Sequence, residues 1–313
     1  MIDPGLLPNT AAIVEAICSQ WPEHTRFLDQ SFARRDEALL QATERTAAAV
    51  RRIVGQESLR EVCNDYRFLC DRLMEEEQYF RRHQAYRLSR FEDAAKEVYS
   101  NLEFMRRYMN FLLLTYVIWD NHARAIEHFE REYLPRLPPN SAHLEIGPGH
   151  GLLLHMACNA RNVASVTGWD ISEGSIRQAR LCLEALGHAN GVSLALQDLF
   201  DAPTGGPQFD SVVLAEVLEH LENPAAALRA VRSHMRPHAL MWVHVPINSP
   251  APDHLFLLRT PEEATHLIAE AGFEILDAAF YPMTGQTLER ARKHDFTISA
   301  AVTARRTDAE RHG

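Results

Sequence analysis

Apolar positions in the first 140 residues recur with the spacing of helices. Between Leu59 and Leu73 they return every three or four residues, which predicts an amphipathic helix. Residues 34–54 are rich in alanine and contain no helix breaker, so we expect another helix there. Residues 99–133 carry apolar side chains almost all round the helical circumference near their middle. This pattern predicts one long helix that is buried on most sides.

The pattern changes after residue 140, where short apolar runs alternate with helical stretches. Alternation of strand, crossover helix and strand is typical of a parallel sheet that is covered on both faces. The predicted strands are His143–Ile146, Ser165–Trp169, Ser193–Leu196, Ser211–Leu214, Leu240–Val245, Glu274–Phe280 and Phe296–Thr303. The predicted helices are Leu152–Ala160, Ile176–Leu186, Ala225–Met235 and Pro261–Ala271. The last two strands have no full helix predicted between them, which favours an antiparallel edge.

Prolines and glycines support a division of the chain near residue 137. Pro135, Pro138 and Pro139 would end the helical part. Of the 14 glycines, only Gly5 and Gly55 precede residue 140, and glycine punctuation is typical of alternating strands, turns and helices. We therefore expect a helical lid or substrate-binding region at 1–137 and an α/β domain at 138–313.

Composition and charge exclude several classes of protein. The 313-residue chain has a formal net charge of −10, which disfavours general nucleic-acid binding. The longest apolar run, residues 109–119, is interrupted by polar residues and is too short for a membrane span. The five cysteines show no CxxC spacing, and the first residues lack the pattern of a signal peptide. We expect free thiols and a cytoplasmic protein that does not act at a membrane.

The segment 143–151 predicts a ligand-binding turn between a strand and a helix. Gly147, Gly149 and Gly151 follow the first predicted strand directly, and Glu145 stands two residues before the first of them. Glycines allow a tight turn and a close approach of a ligand to the backbone. The third glycine comes two residues after the second rather than three, which departs from the GxGxxG fingerprint that a nicotinamide-dependent oxidoreductase would need.

Acidic residues follow the next two predicted strands as well. Asp170 ends the second strand, where a carboxylate can accept hydrogen bonds from both hydroxyls of a ribose. Asp198 follows the third strand, where an acid can meet an adenine amino group. Each acid alone would also suit a helix N-cap or a solvated loop. Together with Glu145 they lie at one edge of the predicted sheet, the edge at which open α/β sheets bind ligands.

Four segments resemble successive motifs of the class I S-adenosylmethionine-dependent methyltransferases. They are LEIGPGHG at 144–151, GWDIS at 168–172, LQDLF at 196–200 and FDSVVLAEVLEHLENP at 209–224. The resemblance covers residues 141–306 and implies an α/β fold with a seven-stranded Rossmann-like sheet, mostly parallel with an antiparallel last strand. The glycine pair that is usual before the fifth strand is replaced here by Arg236-Pro-His-Ala239, which leaves the form of that turn open.

The resemblance also implies cofactor contacts. Gly147, Gly149 and Gly151 would hold the methionine part of S-adenosylmethionine, with Glu145 beneath the turn. The remaining cofactor-binding residues that the resemblance implies are Asp170 for the ribose, Asp198 and Leu199 for the adenine, and Ile171 and Glu216 beside them.

Two predicted loops carry candidate chemistry for the methyl acceptor. Glu216, Glu219 and His220 follow the fourth strand, and His254 lies in the loop after the fifth. Carboxylates and imidazoles suit Mg²⁺, Mn²⁺ or Zn²⁺. The pattern resembles the ubiquinone-pathway O-methyltransferases and the small-RNA 3′-end methyltransferases, in which such residues are associated with a divalent metal. Similar strings also occur in metal-free relatives, so His220 or His254 as a general base is the alternative.

These observations predict a methyltransferase that acts on a small metabolite at a hydroxyl oxygen, with or without a metal. Methylation of nitrogen or carbon with a histidine base is one alternative, and a non-catalytic cofactor-binding module is another. The sequence leaves the oligomeric state open, a homodimer included. Outside these motifs, we expect His122 on a helix surface, and His234, His238, His244 and His266 in solvent or in the core.

Overall fold

A computed structural model describes residues 2–55, 58–203, 205–206 and 208–307. The chain forms two compact units. The first unit contains the chain up to Glu127 together with Asn248–Leu257 and Tyr281–Ser299. The second unit contains His128–Ile247, Leu258–Phe280 and the chain from Ala300. These units differ from a simple division at residue 137, because two late segments join the early helices. Residues 308–313 of the expected α/β domain lie outside the described residues.

The first unit is helical. The predicted helices at 34–54 and 59–73 are confirmed. The first of them is capped by Asp36, whose carboxylate accepts a hydrogen bond from the backbone N–H of Leu39 at 2.9 Å. This N-cap satisfies a donor that the helix itself leaves unpaired. A π-helical turn, Ala95–Tyr99, precedes the sixth helix. The helices are α1 (Pro8–Gln20), α2 (Thr25–Phe32), α3 (Glu37–Val54), α4 (Leu59–His83), α5 (Phe91–Ala94), α6 (Leu102–Ile118), α7 (Asp120–His128, whose last residue belongs to the second unit) and α12 (Leu288–His294).

The prediction of a single helix over 99–133 is wrong, because the chain leaves the helical conformation at Trp119. This residue is extended, with φ −92° and ψ 127°, between α6 and α7. A helix end leaves backbone carbonyls in need of donors, and two buried side chains supply them here. The Arg35 guanidinium donates to the carbonyl oxygen of Val117 at 2.8 Å, and the Ser31 hydroxyl donates to that of Ile118 at 2.5 Å. Tertiary hydrogen bonds therefore stabilise the break.

The late segments are tied into the first unit by side-chain hydrogen bonds. On α4, Arg81 donates to the carbonyl oxygens of His294 at 2.6 Å and Asp295 at 3.0 Å, where α12 ends. On α7, the Asn121 amide donates to the Ser299 hydroxyl at 3.0 Å. The apolar core of this unit is formed by side chains of α1, α2, α3, α4 and α6, and it includes Ile13, Ile17, Leu28, Val50, Tyr66, Leu69, Leu113, Leu114 and Ile118. Among the residues that the structure describes, we find no helix both long and apolar enough to cross a membrane.

The second unit contains nearly all of a seven-stranded sheet. The strand order is β3-β2-β1-β4-β5-β7-β6, and the pairs within the first five strands are parallel. The predicted Rossmann-like fold class is confirmed. A short helix of seven residues, α12, separates β6 from β7, where the sequence pattern predicted no full helix. The strands are β1 (Ser141–Ile146), β2 (Val163–Asp170), β3 (Val192–Leu196), β4 (Phe209–Ala215), β5 (Met235–Ile247), β6 (Phe273–Pro282) and β7 (Ile298–Arg306).

Four helices of the second unit connect these strands. Three of them begin at a side-chain cap, in which the oxygen of Ser172, Asn223 or Thr260 accepts a hydrogen bond from the backbone N–H three residues on. The helices are α8 (Leu152–Asn159), α9 (Glu173–Ala185), α10 (Pro224–Ser233) and α11 (Pro261–Glu270). Because each follows a parallel strand, the loops that bind ligands in such sheets lie at the carboxyl ends of β1 to β5.

The atypical turn before the fifth strand is a bulge within β5. Phe209 of β4 pairs with Met235, but Ser211 already pairs with Leu240, so the residues between bulge out of the ladder. His238 has φ 61° there, in the left-handed region that glycine adopts most easily. The substitution of the usual glycine pair is thus accommodated at the amino end of β5, the end opposite to the candidate site.

Candidate cofactor-binding and catalytic site

The glycine turn after β1 is a tight backbone cradle. Gly147, Gly149 and Gly151 all have positive φ, at 66°, 51° and 73°, a conformation that side chains other than glycine rarely adopt. A Cβ atom at Gly147 would lie 2.9 Å from Cγ2 of Val217, so space also requires glycine at this position. The N–H of Gly151 donates to the carbonyl oxygen of Pro148 at 2.7 Å, and α8 begins at the next residue. The backbone can therefore approach a ligand closely at the start of a helix.

Glu145 lies beneath this turn and is 2% exposed. Burial raises the pKa of its carboxyl well above the ordinary value, although the backbone N–H of Leu154 opposes this by donating a hydrogen bond to it. Its Oε2 atom is buried and has no hydrogen-bond partner among the described residues. A buried acceptor of this kind is costly unless a donor or cation reaches it. The position therefore fits a ligand with a positively charged amino group, such as the methionine part of S-adenosylmethionine.

Asp170 ends β2 and stands next to the end of β3. Its Oδ1 accepts a hydrogen bond from the backbone N–H of Ser172 at 2.8 Å, and burial raises the pKa of its carboxyl. The N–H of Gln197 donates to the carbonyl oxygen of Asp170 at 2.9 Å, which joins the ends of the two strands. The parallel register thus places Asp170 and the residues that follow Leu196 at the same edge of the sheet.

The ends of β2 and β3 also present apolar surface. Ile171 is 58% exposed and Phe200 is 54% exposed, while Leu199 is buried. The carboxylate of Asp198, which directly precedes Leu199, accepts a hydrogen bond from the N–H of Phe200 at 2.8 Å. Exposed large apolar side chains beside a carboxylate suit a flat ring with an amino group, such as adenine.

Glu216 occupies a constrained position directly after β4. Its φ is 54°, and its backbone N–H donates to the carbonyl oxygen of His244 at 2.9 Å. Its Oε1 lies 3.2 Å from Nδ1 of His244, a fully buried side chain on β5. Sequence reasoning missed His244 as a residue of this region. The available signal was a single polar position within the apolar run Val243-His244-Val245.

Glu219 and His220 lie in a short 3₁₀ turn, Leu218–His220, after β4. The Glu219 side chain is 1% exposed, and its Oε1 lies 3.7 Å from Nε2 of His220. His254 belongs to the segment Asn248–Leu257 of the first unit, where its Nδ1 lies 2.6 Å from the carbonyl oxygen of Ser249. The predicted catalytic and metal-binding residues thus come from both units, and their joint function stays a prediction.

The other histidines have structural environments. His122 is buried, contrary to the expectation of a helix surface: its Nδ1 lies 3.0 Å from the Thr115 hydroxyl, and burial lowers its pKa to about 3. The ring of His234 packs edge-on against Trp169 at 5.2 Å. His266 is exposed and pairs with Glu270 at 3.0 Å.

Comparison with known proteins finds similarity to methyltransferases. A family model described as a methyltransferase domain matches residues 144–241. A ubiquinone biosynthesis O-methyltransferase of Dinoroseobacter shibae is 30% identical over 171 residues, which are 46% of this chain and 65% of that protein. The O-methyltransferase resE of Aspergillus sclerotiorum is 26% identical over 167 residues, covering 49% of this chain and 63% of that protein. The chain therefore spans less than two thirds of the length of these relatives.

Solved structures show the same fold at low sequence identity. The mitomycin 7-O-methyltransferase MmcR superposes with a TM-score of 0.52 and 14% identity, covering 80% of this chain and 70% of its own. An O-methyltransferase family protein from Burkholderia thailandensis gives a TM-score of 0.51 and 13% identity, with coverage of 69% and 64%. Residues 144–241 thus match a methyltransferase domain, and the seven-stranded sheet that contains them agrees with the fold of the class I S-adenosylmethionine-dependent methyltransferases.

Proposed function

We propose that the protein transfers a methyl group from S-adenosylmethionine to a hydroxyl oxygen of a small-molecule acceptor. The observation that carries this proposal is the set of residues at one sheet edge of the second unit. This edge combines the glycine turn after β1, the buried carboxylate of Glu145 and two carboxylates at strand ends, those of Asp170 and Asp198. The relatives that are named O-methyltransferases support oxygen as the methylated atom.

Each part of the cofactor has a proposed partner in this unit. Glu145 and the turn around Gly149 would bind the methionine part, and Asp170 would accept hydrogen bonds from the ribose hydroxyls. Ile171, Leu199 and Asp198 would bind the adenine. Bound S-adenosylmethionine would supply an electrophilic methyl carbon on a sulfonium centre. The contribution of these residues is to hold that centre in a fixed orientation, which lowers the barrier to a direct displacement.

The acceptor hydroxyl must lose its proton when it is methylated. His220 and His254 are the proposed bases, because an imidazole can take up a proton near neutral pH. The Glu219 carboxylate lies 3.7 Å from Nε2 of His220 and would help to orient that imidazole. A small acceptor is favoured over a nucleic acid by the net charge of −10. The five cysteines, which form no disulfide among the residues that the structure describes, are consistent with a cytoplasmic location.

A second candidate is metal-assisted methylation. It is favoured by the carboxylate and imidazole of Glu219 and His220, which lie close together and are of the types that bind Mg²⁺, Mn²⁺ or Zn²⁺. Glu216 and His254 are the further ligands that the sequence pattern predicts. Such a metal would lower the pKa of a coordinated hydroxyl, and an acceptor with two adjacent oxygens would then be preferred.

The proposal is tested in two steps. Calorimetry with S-adenosylmethionine and with NAD shows whether the cofactor is the expected one, and binding of NAD alone would refute the class of reaction. Transfer of a labelled methyl group to a panel of catechols, phenols, amines and carbon acids then identifies the methylated atom by NMR of the product. Binding without transfer to any member of the panel would favour the non-catalytic module, and transfer to an amine or a carbon would refute oxygen.

Single variants separate the base from the metal mechanism. His220→Ala and His254→Ala are expected to lower turnover at least 100-fold while S-adenosylmethionine affinity changes little. His266→Ala is the matched control, because His266 is exposed and pairs only with its helix neighbour Glu270 in the contacts described. Loss of turnover in chelator-treated protein, with recovery on adding Mg²⁺, Mn²⁺ or Zn²⁺, would establish the metal version. Full turnover in metal-free protein would exclude it.

A further inference from the structure

The loop that carries His254 is held in the first unit by three tyrosine hydroxyls. The backbone N–H of Ser249 donates to the hydroxyl of Tyr86 at 3.1 Å. Further along the loop, Tyr99 and Tyr108 donate to the two carboxylate oxygens of Asp253 at 3.3 Å and 3.1 Å. Asp253 is 1% exposed, so these bonds are shielded from solvent. Both ends of the segment that leads to His254 are therefore fixed by side chains of the helical region.

The sequence explains why hydroxyl groups perform this task. Pro250 and Pro252 lie between the two anchor points and have no backbone N–H to donate. Each proline also favours extended conformations at the residue before it, which disfavours a helix in this segment. Within the loop, the N–H of His254 donates to the carbonyl oxygen of Ala251 at 3.3 Å. With two donors missing from its backbone, the loop depends in addition on side chains outside it.

The contact between His254 and Ser249 determines the tautomer of the imidazole. Nδ1 of His254 lies 2.6 Å from the carbonyl oxygen of Ser249. A carbonyl oxygen only accepts hydrogen bonds, so Nδ1 must carry the proton. In a neutral imidazole the lone pair then resides on Nε2. Nε2 is thus the atom that would take a proton from an acceptor hydroxyl or coordinate a cation.

Tyr86 contacts both partners of this hydrogen bond. Its hydroxyl accepts from Ser249, and its ring lies 5.7 Å from the imidazole of His254 in an edge-on arrangement, with planes inclined by 64°. Tyr86 itself is buried. One side chain therefore restrains the residue whose carbonyl selects the tautomer and also limits the rotation of the ring.

We propose that Tyr86 is a positioning residue for His254. It keeps the proton on Nδ1 and the lone pair on Nε2 by holding Ser249 in place. Partners that fix the tautomer of a functional histidine in this way are known to affect activity strongly in other sites. The effect of Tyr86 on catalysis rests on the proposed function, in which His254 acts on the acceptor. Its effect on the tautomer of His254 can be measured without any turnover.

The first test is spectroscopic and needs no acceptor. Protein labelled with ¹⁵N-histidine is examined by NMR at a mildly alkaline pH, and the His254 signals are assigned by their loss in His254→Gln. Protonated and unprotonated ring nitrogens have well separated ¹⁵N shifts, so the two tautomers are distinguished directly. Wild type is expected to show protonated Nδ1, and Tyr86→Phe a mixture of tautomers. An unchanged tautomer in Tyr86→Phe, or protonated Nε2 in wild type, would overturn the proposal.

The second test is kinetic, with an acceptor found as described above. Tyr86→Phe keeps the ring and removes only the hydroxyl. It is expected to lower kcat about 10-fold with KM for the acceptor within two-fold of wild type. Tyr79→Phe is the matched control on α4, because Tyr79 contacts His83 and Arg87 through its ring, and it should leave both constants unchanged. Equal kcat in Tyr86→Phe and wild type would refute the positioning role.

The two tests also separate this proposal from the proposed function. If no acceptor is methylated, the function fails, while the NMR result still decides whether Tyr86 sets the tautomer. If methylation occurs and His254→Gln is fully active, the function holds and the role of Tyr86 in it is refuted. Tyr108→Phe is a second variant at the other anchor, and it is expected to broaden the His254 signals without exchanging the tautomers. Its failure to do so would contradict the two-anchor arrangement.

Discussion

Oε1 of Glu216 lies 3.2 Å from Nδ1 of His244, which joins the residue after β4 to the interior of β5. The N–H of Glu216 also donates to the carbonyl oxygen of His244 at 2.9 Å. The backbone hydrogen bond and the close side-chain contact together offset the cost of a left-handed backbone at a position that is not glycine. The orientation of Glu216, a predicted cofactor-binding residue, thus depends on a buried side chain of the neighbouring strand.

Replacing His244 should therefore weaken cofactor binding. His244→Phe removes the imidazole at similar volume, and we expect the Kd for S-adenosylmethionine to rise about five-fold, as for the loss of roughly 1 kcal/mol. Calorimetry measures this directly. His234→Phe is the control, since His234 precedes the opposite end of β5 and packs against Trp169. Equal losses in both variants would mean that the effect comes from the core and not from Glu216.

Asp170→Asn should reduce affinity for S-adenosylmethionine by about 10- to 100-fold. The substitution removes the charge that strengthens hydrogen bonds from ribose hydroxyls, worth roughly 1.5–3 kcal/mol. The fold should persist, because an asparagine oxygen can still accept from the N–H of Ser172. Glu173→Gln changes a neighbouring carboxylate that is exposed and paired with Arg177, and it should bind the cofactor normally. An unchanged Kd for S-adenosylmethionine in Asp170→Asn would show that Asp170 does not bind the ribose.

Gly147→Ala should abolish measurable cofactor binding through two separate effects. The backbone has φ 66°, which costs about 1–2 kcal/mol for alanine, and the added Cβ would lie 2.9 Å from Val217. The double variant Gly147→Ala/Val217→Ala relieves the close contact only, so it should recover part of the lost thermal stability. Gly191→Ala is the control, because a Cβ there meets nothing nearer than 3.9 Å. Complete recovery in the double variant would show that backbone conformation is unimportant.

Glu145 should make the stability of the cofactor-free protein fall as pH rises. Its unfolded pKa is near 4.5 and its folded pKa is well above that. Between the two values the folded state binds more protons, so the free energy of unfolding decreases with increasing pH. Urea titrations should show this decrease in wild type and a smaller one in Glu145→Gln, with the variant more stable by roughly 2 kcal/mol at pH 8. Parallel pH profiles for the two proteins would contradict it.

Removal of residues 1–137 should not leave a well-folded remainder. The segments Asn248–Leu257 and Tyr281–Ser299 belong to the first unit with the early helices, and they would lose partners such as Tyr108 and Arg81. Exposed apolar surface then promotes aggregation. Size-exclusion chromatography and binding of a hydrophobic dye measure this. A monomeric truncated protein with wild-type cofactor affinity would show that the helices are dispensable for folding.

The parts of the site that the sequence predicted are those set by strand register. Asp170 and Asp198 stand directly after apolar runs, and a parallel sheet brings such ends to one edge whatever the surrounding packing. The break at Trp119 was not predictable, because it depends on Arg35 and Ser31, which are distant in the sequence and supply the missing donors. His244 was missed for a related reason. Its role depends on its contact with Glu216 of the neighbouring chain segment, which the sequence of β5 alone does not reveal.

The composition of the first unit also determines the order in which the chain can fold. Its helices α1 to α7 are made early during synthesis, but Asn248–Leu257 and Tyr281–Ser299 leave the ribosome only after β1 to β5 have been made. The contacts of Arg81 with His294 and Asp295 span more than 200 residues, and closing such loops is slow. The apolar core of the early helices can therefore pack first, whereas the partners of Arg81 are supplied only after most of the sheet has been translated, and the surface that waits for them is open to aggregation in that interval.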